Sequence, residues 1–289
     1  MANKKTRDYK TLFAAIRRTR LRMCGFITLL AFVVLFLLAD RSIPRDPKVV
    51  AETTFPLRSH STLPKILHQS WRDATSIPGP QREWTKELRE MFPTHEYMLW
   101  TDDKIVNFME TKYPWFMKYF DQLPVPVMKL DAARCFILYE YGGLFLDMDY
   151  QVKENFWNRL PDTYPAVIES PWFWFLEKTQ NSFMSSPKGH PFWNVTWEVI
   201  IERIPGTGPV YVTGPLMIDE AIRRWPGEVG VLPCENWQRP ALGDAGGYSG
   251  FKHTLTREVG ARLGLIRKCG NVHDQYYQFG VHHQTTTWD

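Results

Sequence analysis

The stretch KLDAARCFILYEYGGLFLDMDY, residues 129–150, decides the fold of this chain. Its first part has the spacing of an amphipathic helix that Pro126 opens and Gly142 ends, because proline suits the first helical turn and glycine tolerates the positive φ of a helix C-cap. The apolar run 144–146 then predicts a short buried strand, and Asp147 and Asp149 follow it. Carboxylates at a strand end favour a bound metal ion.

Strand and helix patterns alternate on both sides of this stretch. The candidate strands are 65–69, 97–100, 144–146, 166–169 and 229–232, and the candidate helices are 83–91, 102–113, 126–141, 191–203 and 214–225, with Thr101 as an N-cap. This alternation predicts an α/β fold, a single Rossmann-type domain with a mostly parallel central sheet, in which ligands gather at the carboxyl ends of the strands. From Gly243 onward the chain is rich in Gly and His, and we expect an irregular C-terminal segment.

Asp147 and Asp149 are the strongest candidates for metal ligands. Residues i and i+2 of a strand point to the same face, so both carboxylates reach one ion. Oxygen ligands of this kind suit Mg²⁺ or Mn²⁺, which bridge diphosphates. An isolated Asp-x-Asp is common by chance, but the apolar Phe145 and Leu146 indicate that the preceding run is buried, and a buried strand that delivers two acids needs a compensating cation.

Asp131 and Arg134 are spaced i, i+3 and so share one face of the predicted helix. This spacing fits either an exposed ion pair, which contributes little to stability, or a pair that binds a ligand. Lys129 points elsewhere and is most simply a surface residue.

The composition argues against nucleic acid binding as the main function. The 289 residues carry a net charge of +4, but residues 1–22 hold eight Lys and Arg against one Asp, so their +7 leaves −3 for the rest of the chain. A slightly acidic domain lacks the basic surface that nucleic acids need. The 12 Trp, within 15% aromatic residues, suit either stacking on ring-shaped ligands or a place in the core.

The N-terminal part predicts a membrane anchor. Residues 23–39 are an uncharged apolar run of 17, at the short end of the roughly 20 residues that a spanning helix needs. A cleaved signal peptide and a buried core helix are the alternatives, and the weak cleavage site and the all-round apolarity argue against them. The basic residues before the run orient residues 1–22 to the cytosol, so we expect a single-pass type II protein with a stem at 40–62 and a lumenal domain at 63–289.

Two further features suit a lumenal domain. Asn194 begins an acceptor sequon for N-glycosylation. Of the four cysteines, Cys24 lies in the apolar run and Cys135 in the predicted helix, where a buried small hydrophobe is the simplest interpretation. Cys234 and Cys269 could form a disulfide in an oxidising compartment, although the odd number in the domain leaves this pairing open.

The chain resembles the DxD-containing sugar-binding region of glycosyltransferase family 32, which includes fungal Golgi mannosyltransferases, and it is also similar to the glucosylating toxin domains. The pattern that carries this resemblance is Lys129-x-Asp131-x-x-Arg134-x-x-x-Leu138-x-x-x-Gly142-Gly143-x-x-x-Asp147-x-Asp149. Residues 64–71, 189–192, 213–215 and 281–288 resemble further blocks of the family. The resemblance covers nearly all of residues 63–289.

The resemblance implies a GT-A fold, a nucleotide-sugar donor with GDP-mannose favoured, a Mn²⁺ or Mg²⁺ ion, and retention of the anomeric configuration. By the same resemblance, Asp149 binds the metal directly and Asp147 holds the ribose or a metal-bound water. Asp131 and Arg134 are expected to hold the donor sugar.

Residues far from this stretch complete the implied site. Trp71 is expected to stack on the base, with a core position as the alternative. His282 or His283 is expected to close the metal shell, and Trp288 to cover the diphosphate. No general base stands out, and in related retaining enzymes the leaving diphosphate accepts the proton of the incoming hydroxyl, which leaves the protein to supply positioning and charge stabilisation.

We therefore predict a Golgi glycosyltransferase, most simply a mannosyltransferase, that acts on a glycan or a glycolipid. The alternatives are a transferase of the same fold that uses a UDP-sugar, a glycoside hydrolase that uses the acid pair, and a non-catalytic membrane-anchored glycan-binding protein. The sequence leaves the acceptor and the oligomeric state open, with the aromatic run 171–175 as a candidate acceptor loop. It assigns no role to Glu169 or Asp219.

Overall fold

The computed structural model describes residues 49–50, 61–170, 178–237, 239–240 and 279–282. They belong to the unit Lys48–Asp289, while the unit Met1–Pro47, with the predicted anchor at 23–39, lies outside the described residues. Within the described ranges, no helix is both long enough and apolar enough to span a membrane.

Strands and helices alternate along most of the described chain. The strands are β1 (Val49–Val50), β2 (Ile66–Ser70), β3 (Glu96–Trp100), β4 (Gly143–Leu146), β5 (Tyr150–Val152), β6 (Ala166–Glu169), β7 (Thr179–Ser186), β8 (Val229–Leu232), β9 (Arg239–Pro240) and β10 (Gly280–His282). The helices are α1 (Gly79–Met91), α2 (Asp102–Lys112), α3 (Met117–Phe120), α4 (Pro126–Tyr141), α5 (Phe192–Arg203), α6 (Pro209–Val212), α7 (Pro215–Arg224) and α8 (Cys234–Trp237), with a 3₁₀ turn at Trp157–Arg159. Every strand and helix predicted from the sequence is therefore present. The largest difference is at the start of α1, where Pro80 suits an earlier first turn than the predicted one.

The main sheet has the strand order β1-β8-β6-β7-β4-β2-β3. Its neighbouring strands are parallel except where β7 is involved, since β7 is antiparallel to both β6 and β4. The predicted α/β fold with a mostly parallel sheet is thus confirmed. The sequence does not predict β7, because its large apolar residues are only Phe183 and Met184. A smaller sheet, β5-β10-β9, brings residues 280–282 against β5.

β4 lies between β7 and β2 and faces a hydrophobic core on each side. Phe145 packs in the core that contains α4, and Leu144 and Leu146 pack in the opposite core with residues of α1 and β5. All four β4 residues are buried. Because burying a Leu or Phe side chain contributes about 1.5–3 kcal/mol, the packing holds the end of β4 firmly in place.

α4 is more buried than its pattern predicts. Residues 131–138 are all buried, because the helix is in contact with α2, α5 and the strands β4 and β7. The prediction of an amphipathic helix is therefore wrong for its central turns. As a result, the side chains of Asp131 and Arg134 lie inside the protein.

The two glycines between α4 and β4 adopt backbone conformations that other residues rarely take. Gly142 has φ 69° and Gly143 has φ 87°, in the left-handed region that side-chain-bearing residues rarely adopt. A Cβ at Gly143 would lie 2.5 Å from the carbonyl oxygen of Ile66. The side chain of His68 holds this break between α4 and β4 in place. Its Nδ1 accepts a hydrogen bond from the indole N–H of Trp100 at 3.1 Å. Its Nε2 therefore carries the proton and donates to the carbonyl of Gly142 at 2.9 Å.

Candidate active site

Asp147 and Asp149 lie on a tight turn after β4. The N–H of Tyr150 donates to the carbonyl of Asp147 at 3.0 Å, and the N–H of Asp147 donates to the carbonyl of Ser182 in β7 at 2.8 Å. The prediction that strand alternation aligns the two carboxylates is therefore wrong, because β4 ends at Leu146. The turn brings them together instead, with a carboxylate oxygen of each within 4.8 Å of the other.

Arg134 reaches from α4 to this turn. Its Nη1 lies 3.1 Å from Asp147 Oδ1, and its Nη2 lies 3.2 Å from Asp131 Oδ1. Nη1 also donates to the carbonyl of Asn181 at 2.5 Å. The side chain of Arg134 is only 2% exposed, so the interpretation of Asp131 and Arg134 as an exposed ion pair is wrong. One guanidinium, with its fixed fork of donors, holds a carboxylate from the helix and another from the turn.

Asp131 is held by groups from three elements. Besides Arg134, the side-chain amide of Asn181 in β7 donates to its Oδ1 at 2.9 Å. Burial raises the pKa of Asp131 to about 7, while Arg134 and the hydrogen bonds from Asn181 and Thr213 oppose the rise. The bond from Thr213 gives a physical reason for the family resemblance at residues 213–215.

His282 completes a group of three possible metal ligands. β10 pairs with β5 so that His282 lies opposite Tyr150, the residue after Asp149. The Nε2 of His282 lies 3.2 Å from Asp149 Oδ1. One ligand atom from each of Asp147, Asp149 and His282 lies within 4.8 Å of the other two. The smaller sheet therefore brings a residue from the far end of the chain to the turn.

The charges of this group suit a divalent cation. Burial raises the pKa of Asp147, against the opposing effect of the Arg134 guanidinium. Burial alone would lower the pKa of His282, but the nearby carboxylates, above all Asp149, outweigh it and the pKa is raised. Two carboxylates and one imidazole form a donor set that fits Mn²⁺, and with less preference Mg²⁺.

Trp71 directly follows β2 and is half-buried. Its backbone N–H donates to the carbonyl of Trp100 at 3.0 Å, which extends the pairing of β2 with β3. Its indole N–H donates to Ser76 Oγ at 3.2 Å, and Ser76 Oγ donates to Asp73 Oδ2 at 2.5 Å. Backbone and ring are thus both held in place in a half-buried residue.

The remaining predicted residues are spread over the chain. His283, Trp288, Cys269 and the run 171–175 lie outside the described residues. Asn194 is exposed in the first turn of α5. These positions keep their predicted roles as expectations.

The cysteines partly follow the prediction. Cys135 is free and buried in α4, as a small hydrophobe would be. Cys234 is disulfide-bonded, and its partner lies outside the described residues.

Two carboxylates without a predicted role have structural ones. Asp219 accepts from the backbone N–H groups of Lys178 and Thr179 at 2.7 and 3.1 Å and from the Thr179 hydroxyl at 2.8 Å, which anchors the start of β7. Glu169 accepts from the N–H of Cys234 at 3.3 Å. Neither residue contributes a ligand atom to the Asp147, Asp149 and His282 group.

Sequence reasoning missed two residues that shape the site. Asn181 contacts both Asp131 and Arg134, but it lies on β7, whose polar sequence hides the strand. Ser76 fixes the Trp71 ring from a loop without periodicity. The spacing Asp73-x-x-Ser76 is the one local signal for it, because Asp and Ser at such spacing often form a side-chain-capped turn.

Residues 78–167 match the family model described as the glycosyltransferase sugar-binding region containing the DXD motif. This span includes all four residues predicted for the donor site in the opening stretch: Asp131, Arg134, Asp147 and Asp149. The family resemblance expected from the sequence is thus confirmed.

Two fungal proteins are similar to this chain over a little more than half of its length. Inositol phosphoceramide mannosyltransferase 3 of Schizosaccharomyces pombe is 34% identical over 175 residues, which cover 57% of this chain and 46% of that protein. Mannosyl phosphorylinositol ceramide synthase SUR1 of Saccharomyces cerevisiae is 30% identical over 179 residues, which cover 56% of this chain and 43% of that protein. The matches thus span less than half the length of these relatives. The structure of PaToxG Glycosyltransferase aligns with a TM-score of 0.44 and 14% identity over 56% of this chain and 69% of that chain.

Proposed function

We propose that this protein is a metal-dependent, retaining glycosyltransferase of the GT-A type, because its residues 78–167 match the model of the glycosyltransferase sugar-binding region containing the DXD motif. The proposed donor is a nucleotide sugar, with GDP-mannose favoured because two similar fungal proteins are named for mannosyl transfer. The proposed acceptor is a glycan or a glycolipid.

The grouping of Asp147, Asp149 and His282 within 4.8 Å carries this proposal. Its residues come from the turn after β4 and from β10, two segments that are far apart in the sequence. An acidic turn on the surface needs neither a histidine from a distant strand nor a buried arginine beside it. The grouping therefore favours a functional site over a solvated turn.

We assign the metal to Asp149 and His282, with Asp147 as a further ligand or a partner of a metal-bound water. A Mn²⁺ or Mg²⁺ ion bound there supplies positive charge to the diphosphate as the nucleoside diphosphate leaves. Asp147 is 27% exposed and Asp149 only 12%, so the carboxylate in contact with His282 is the more buried of the two.

The other residues would position the donor. Arg134 holds Asp147 in one orientation by a contact of 3.1 Å, and together with Asp131 it is proposed to hold the donor sugar. Trp71, with its ring held by Ser76, is proposed to stack on the base. Trp288 is proposed to cover the diphosphate. With no general base assigned, the leaving diphosphate accepts the proton of the incoming hydroxyl, and catalysis rests on positioning and charge.

The proposed setting is the Golgi membrane. We propose a single-pass type II topology with the cytosolic tail at 1–22, the anchor at 23–39, the stem at 40–62 and the catalytic domain at 63–289 in the lumen, from the charge pattern of the N-terminal part. Val49–Val50 of the stem pairs with β8 and so adds an edge strand to the sheet of the domain. The disulfide at Cys234 and the exposed position of Asn194, as an N-glycosylation site, are compatible with a lumenal domain.

The test uses the full-length protein in detergent, with Mn²⁺ and GDP-mannose. We expect Mn²⁺-dependent donor binding and turnover, and a loss of turnover of about a thousand-fold in Asp149→Asn, because the metal contributes several kcal/mol to the transition state. Asp121→Asn, at an exposed carboxylate after α3, is the control and should keep full turnover. Undiminished, EDTA-insensitive turnover in Asp149→Asn would overturn the proposal.

Exchange of the donor separates the alternatives. Binding of a UDP-sugar in preference to GDP-mannose would keep the transferase and correct its donor. Glycan binding without Mn²⁺-dependent binding of any nucleotide sugar would instead favour a non-catalytic glycan-binding protein.

A further inference from the structure

Tyr150 directly follows Asp149 in the chain, and its side chain is fully buried. The ring packs against Phe183 of β7, with 5.2 Å between the ring centres. A buried hydroxyl is costly unless it has a hydrogen-bond partner, and that of Tyr150 donates to the main-chain carbonyl of Trp237, the last residue of α8. The residue after a proposed metal ligand is therefore held at both its ring and its hydroxyl.

α8 gives this hydrogen bond a fixed point. Its first residue, Cys234, is disulfide-bonded, and the N–H of Cys234 donates to Glu169 Oε2 at 3.3 Å. The Trp237 ring, at the other end of the helix, is buried against Phe156 and Phe279, with 5.3 and 4.6 Å between the ring centres. The accepting carbonyl thus belongs to a helix that is anchored at both ends.

β10 packs closely against the Tyr150 ring. In the antiparallel pairing of β10 with β5, His282 lies opposite Tyr150, and their ring centres are 6.4 Å apart. Gly280 shares a face of β10 with His282, because residues i and i+2 of a strand point to the same side. A Cβ at Gly280 would lie 2.5 Å from Cζ of Tyr150, far inside van der Waals contact. The ring thus occupies the space that a side chain at position 280 would need.

These contacts make the spacing between Asp149 and His282 depend on Tyr150. The Nε2 of His282 lies 3.2 Å from Asp149 Oδ1. Asp149 is covalently joined to Tyr150, and His282 belongs to the strand that packs against its ring. Metal ligands have to lie within about 0.2 Å of their ideal distances from the ion, and residues behind them supply much of this precision. A shift of the Tyr150 side chain would therefore move one ligand relative to the other.

We propose that Tyr150 is a positioning residue of the metal site. Its hydroxyl, bound to the Trp237 carbonyl, and its ring, packed against Gly280, hold Asp149 and His282 at the spacing that binds Mn²⁺. Tyr150 acts through these two residues, because its own hydroxyl is directed to α8. This inference rests on the proposed metal binding and adds a residue to which the family resemblance assigns no role.

The test measures the Kd of Mn²⁺ by titration calorimetry on the full-length protein in detergent. Tyr150→Phe removes one oxygen and keeps the ring. We expect it to weaken Mn²⁺ binding about tenfold, because loss of a residue that orients a metal ligand typically costs about 10–100-fold in affinity. The matched control is Tyr113→Phe, which removes the same atom from another buried tyrosine, whose hydroxyl donates to Glu140 Oε2 at 3.2 Å. The control should change the Kd less than about twofold, because it leaves the surroundings of the metal site intact.

A double-mutant cycle separates positioning from general destabilisation. In a His282→Ala background, Tyr150→Phe should weaken Mn²⁺ binding less than about twofold, because β10 no longer provides a ligand whose spacing the hydroxyl could maintain. Gly280→Ala reaches the same spacing from the other strand. Its methyl group pushes β10 away from the Tyr150 ring and should weaken binding about tenfold when His282 is present. This variant keeps the Tyr150 side chain, so it tests the inference even if Tyr150→Phe does not fold.

Three results would contradict the positioning role. Equal weakening in Tyr150→Phe and Tyr113→Phe, or additive effects of Tyr150→Phe and His282→Ala, would make Tyr150 a structural residue only. An unchanged Kd in Tyr150→Phe and Gly280→Ala, with Mn²⁺ binding intact in the unmodified protein, would also overturn the role and leave the metal site standing. Absence of Mn²⁺ binding in the unmodified protein would instead overturn the metal site, and the proposed function with it.

Discussion

The two ends of β4 balance their polar groups in opposite ways. At the first end, His68 is fully buried and both of its ring nitrogens are paired, with the Trp100 indole and the Gly142 carbonyl. At the second end, Asp147 remains 27% exposed and shares Arg134 with a second carboxylate. The first end is neutral and closed, and the second is charged and partly open.

This difference separates a structural use of buried polar groups from a functional one. A buried polar group costs little when every donor and acceptor is paired, as around His68. Buried charges cost much more, and ion pairs recover that cost incompletely. A protein that gathers carboxylates at one point therefore gives up stability there, and binding of a cation is the physical reason we propose for it.

Arg134→Met should have the largest effect on stability, because it leaves Asp131 and Asp147 without their cation. We expect a loss of about 3–5 kcal/mol in the free energy of unfolding, measured by urea denaturation. Saturating Mn²⁺ should restore part of it, about 2–3 kcal/mol at a hundred times its Kd. Arg223→Met, which removes an exposed pair with Glu220, is the control and should change little. An equally small change in Arg134→Met would contradict the buried bridge.

Gly143→Ala should have the next largest effect, at the closed end of β4. We expect a loss of about 3 kcal/mol, because a left-handed backbone and a Cβ only 2.5 Å from the Ile66 carbonyl oxygen both oppose the side chain. Gly189→Ala is the matched control, since Gly189 has φ 71° but no atom within 4 Å of its added Cβ. It should cost about 1 kcal/mol. Mn²⁺ should stabilise both glycine variants as much as the unmodified protein, so the two losses relative to that protein should stay the same. Equal losses in the two variants would show that close packing at Gly143 has no part in the effect.

The pH dependence of stability tests the neutral state of His68. Burial lowers its pKa to about 4, so the unfolded chain, with a pKa near 6.5, binds more protons between these values. Stability should therefore fall as pH decreases through this window, by about 2 kcal/mol from this residue between pH 7 and pH 5.

Two histidine variants separate the contributions to this acid sensitivity. His68→Asn should flatten the pH profile, since an amide does not titrate. His95→Asn is the comparison variant, because burial also lowers the pKa of His95 to about 4 while that ring is less buried. A profile of His68→Asn as steep as that of the unmodified protein would show that His68 does not carry the effect.

Ser76→Ala should have the smallest effect. It tests whether the hydrogen bond from the Trp71 indole to Ser76 holds the ring in the orientation that binds the donor. Loss of the bond to the indole should raise the KM for the donor about three- to tenfold with little change in kcat, because a hydrogen bond of this kind contributes about 1 kcal/mol. Thr75→Ala is the control: its hydroxyl bonds the other oxygen of Asp73 at 2.6 Å, and no bond joins it to Trp71. Parallel changes in both variants would mean that the loop, rather than the ring, is responsible.

Much of this arrangement is visible in local sequence. Pro126 and Gly142 mark the two ends of α4, and Thr101 caps α2 by accepting from the N–H of Lys104. Buried runs such as 144–146 and 229–232 are strands as expected. These features depend on backbone conformation and on apolar spacing within a few residues, so they are predictable without knowledge of the fold.

Other features depend on partners that local sequence does not contain. The polar strand β7 forms because it pairs on both sides, with β4 and β6, and its own hydrophobicity does not indicate it. The burial of Arg134 depends on the same strand, since Asn181 accepts from its guanidinium. The i, i+3 spacing to Asp131 is identical in an exposed pair and a buried one.

By itself, the sequence determined that this protein has an α/β fold and that Asp147 and Asp149 follow its β4 strand, because periodicity, glycine and proline act over a few residues. Only the tertiary structure decided that Arg134 lies between two carboxylates and that His282 joins the pair at the turn. Such contacts join residues that are distant in the chain. These contacts form because α4 packs against the sheet and β10 pairs with β5. Their stability depends on residues far apart in the chain, so no single segment of sequence predicts them.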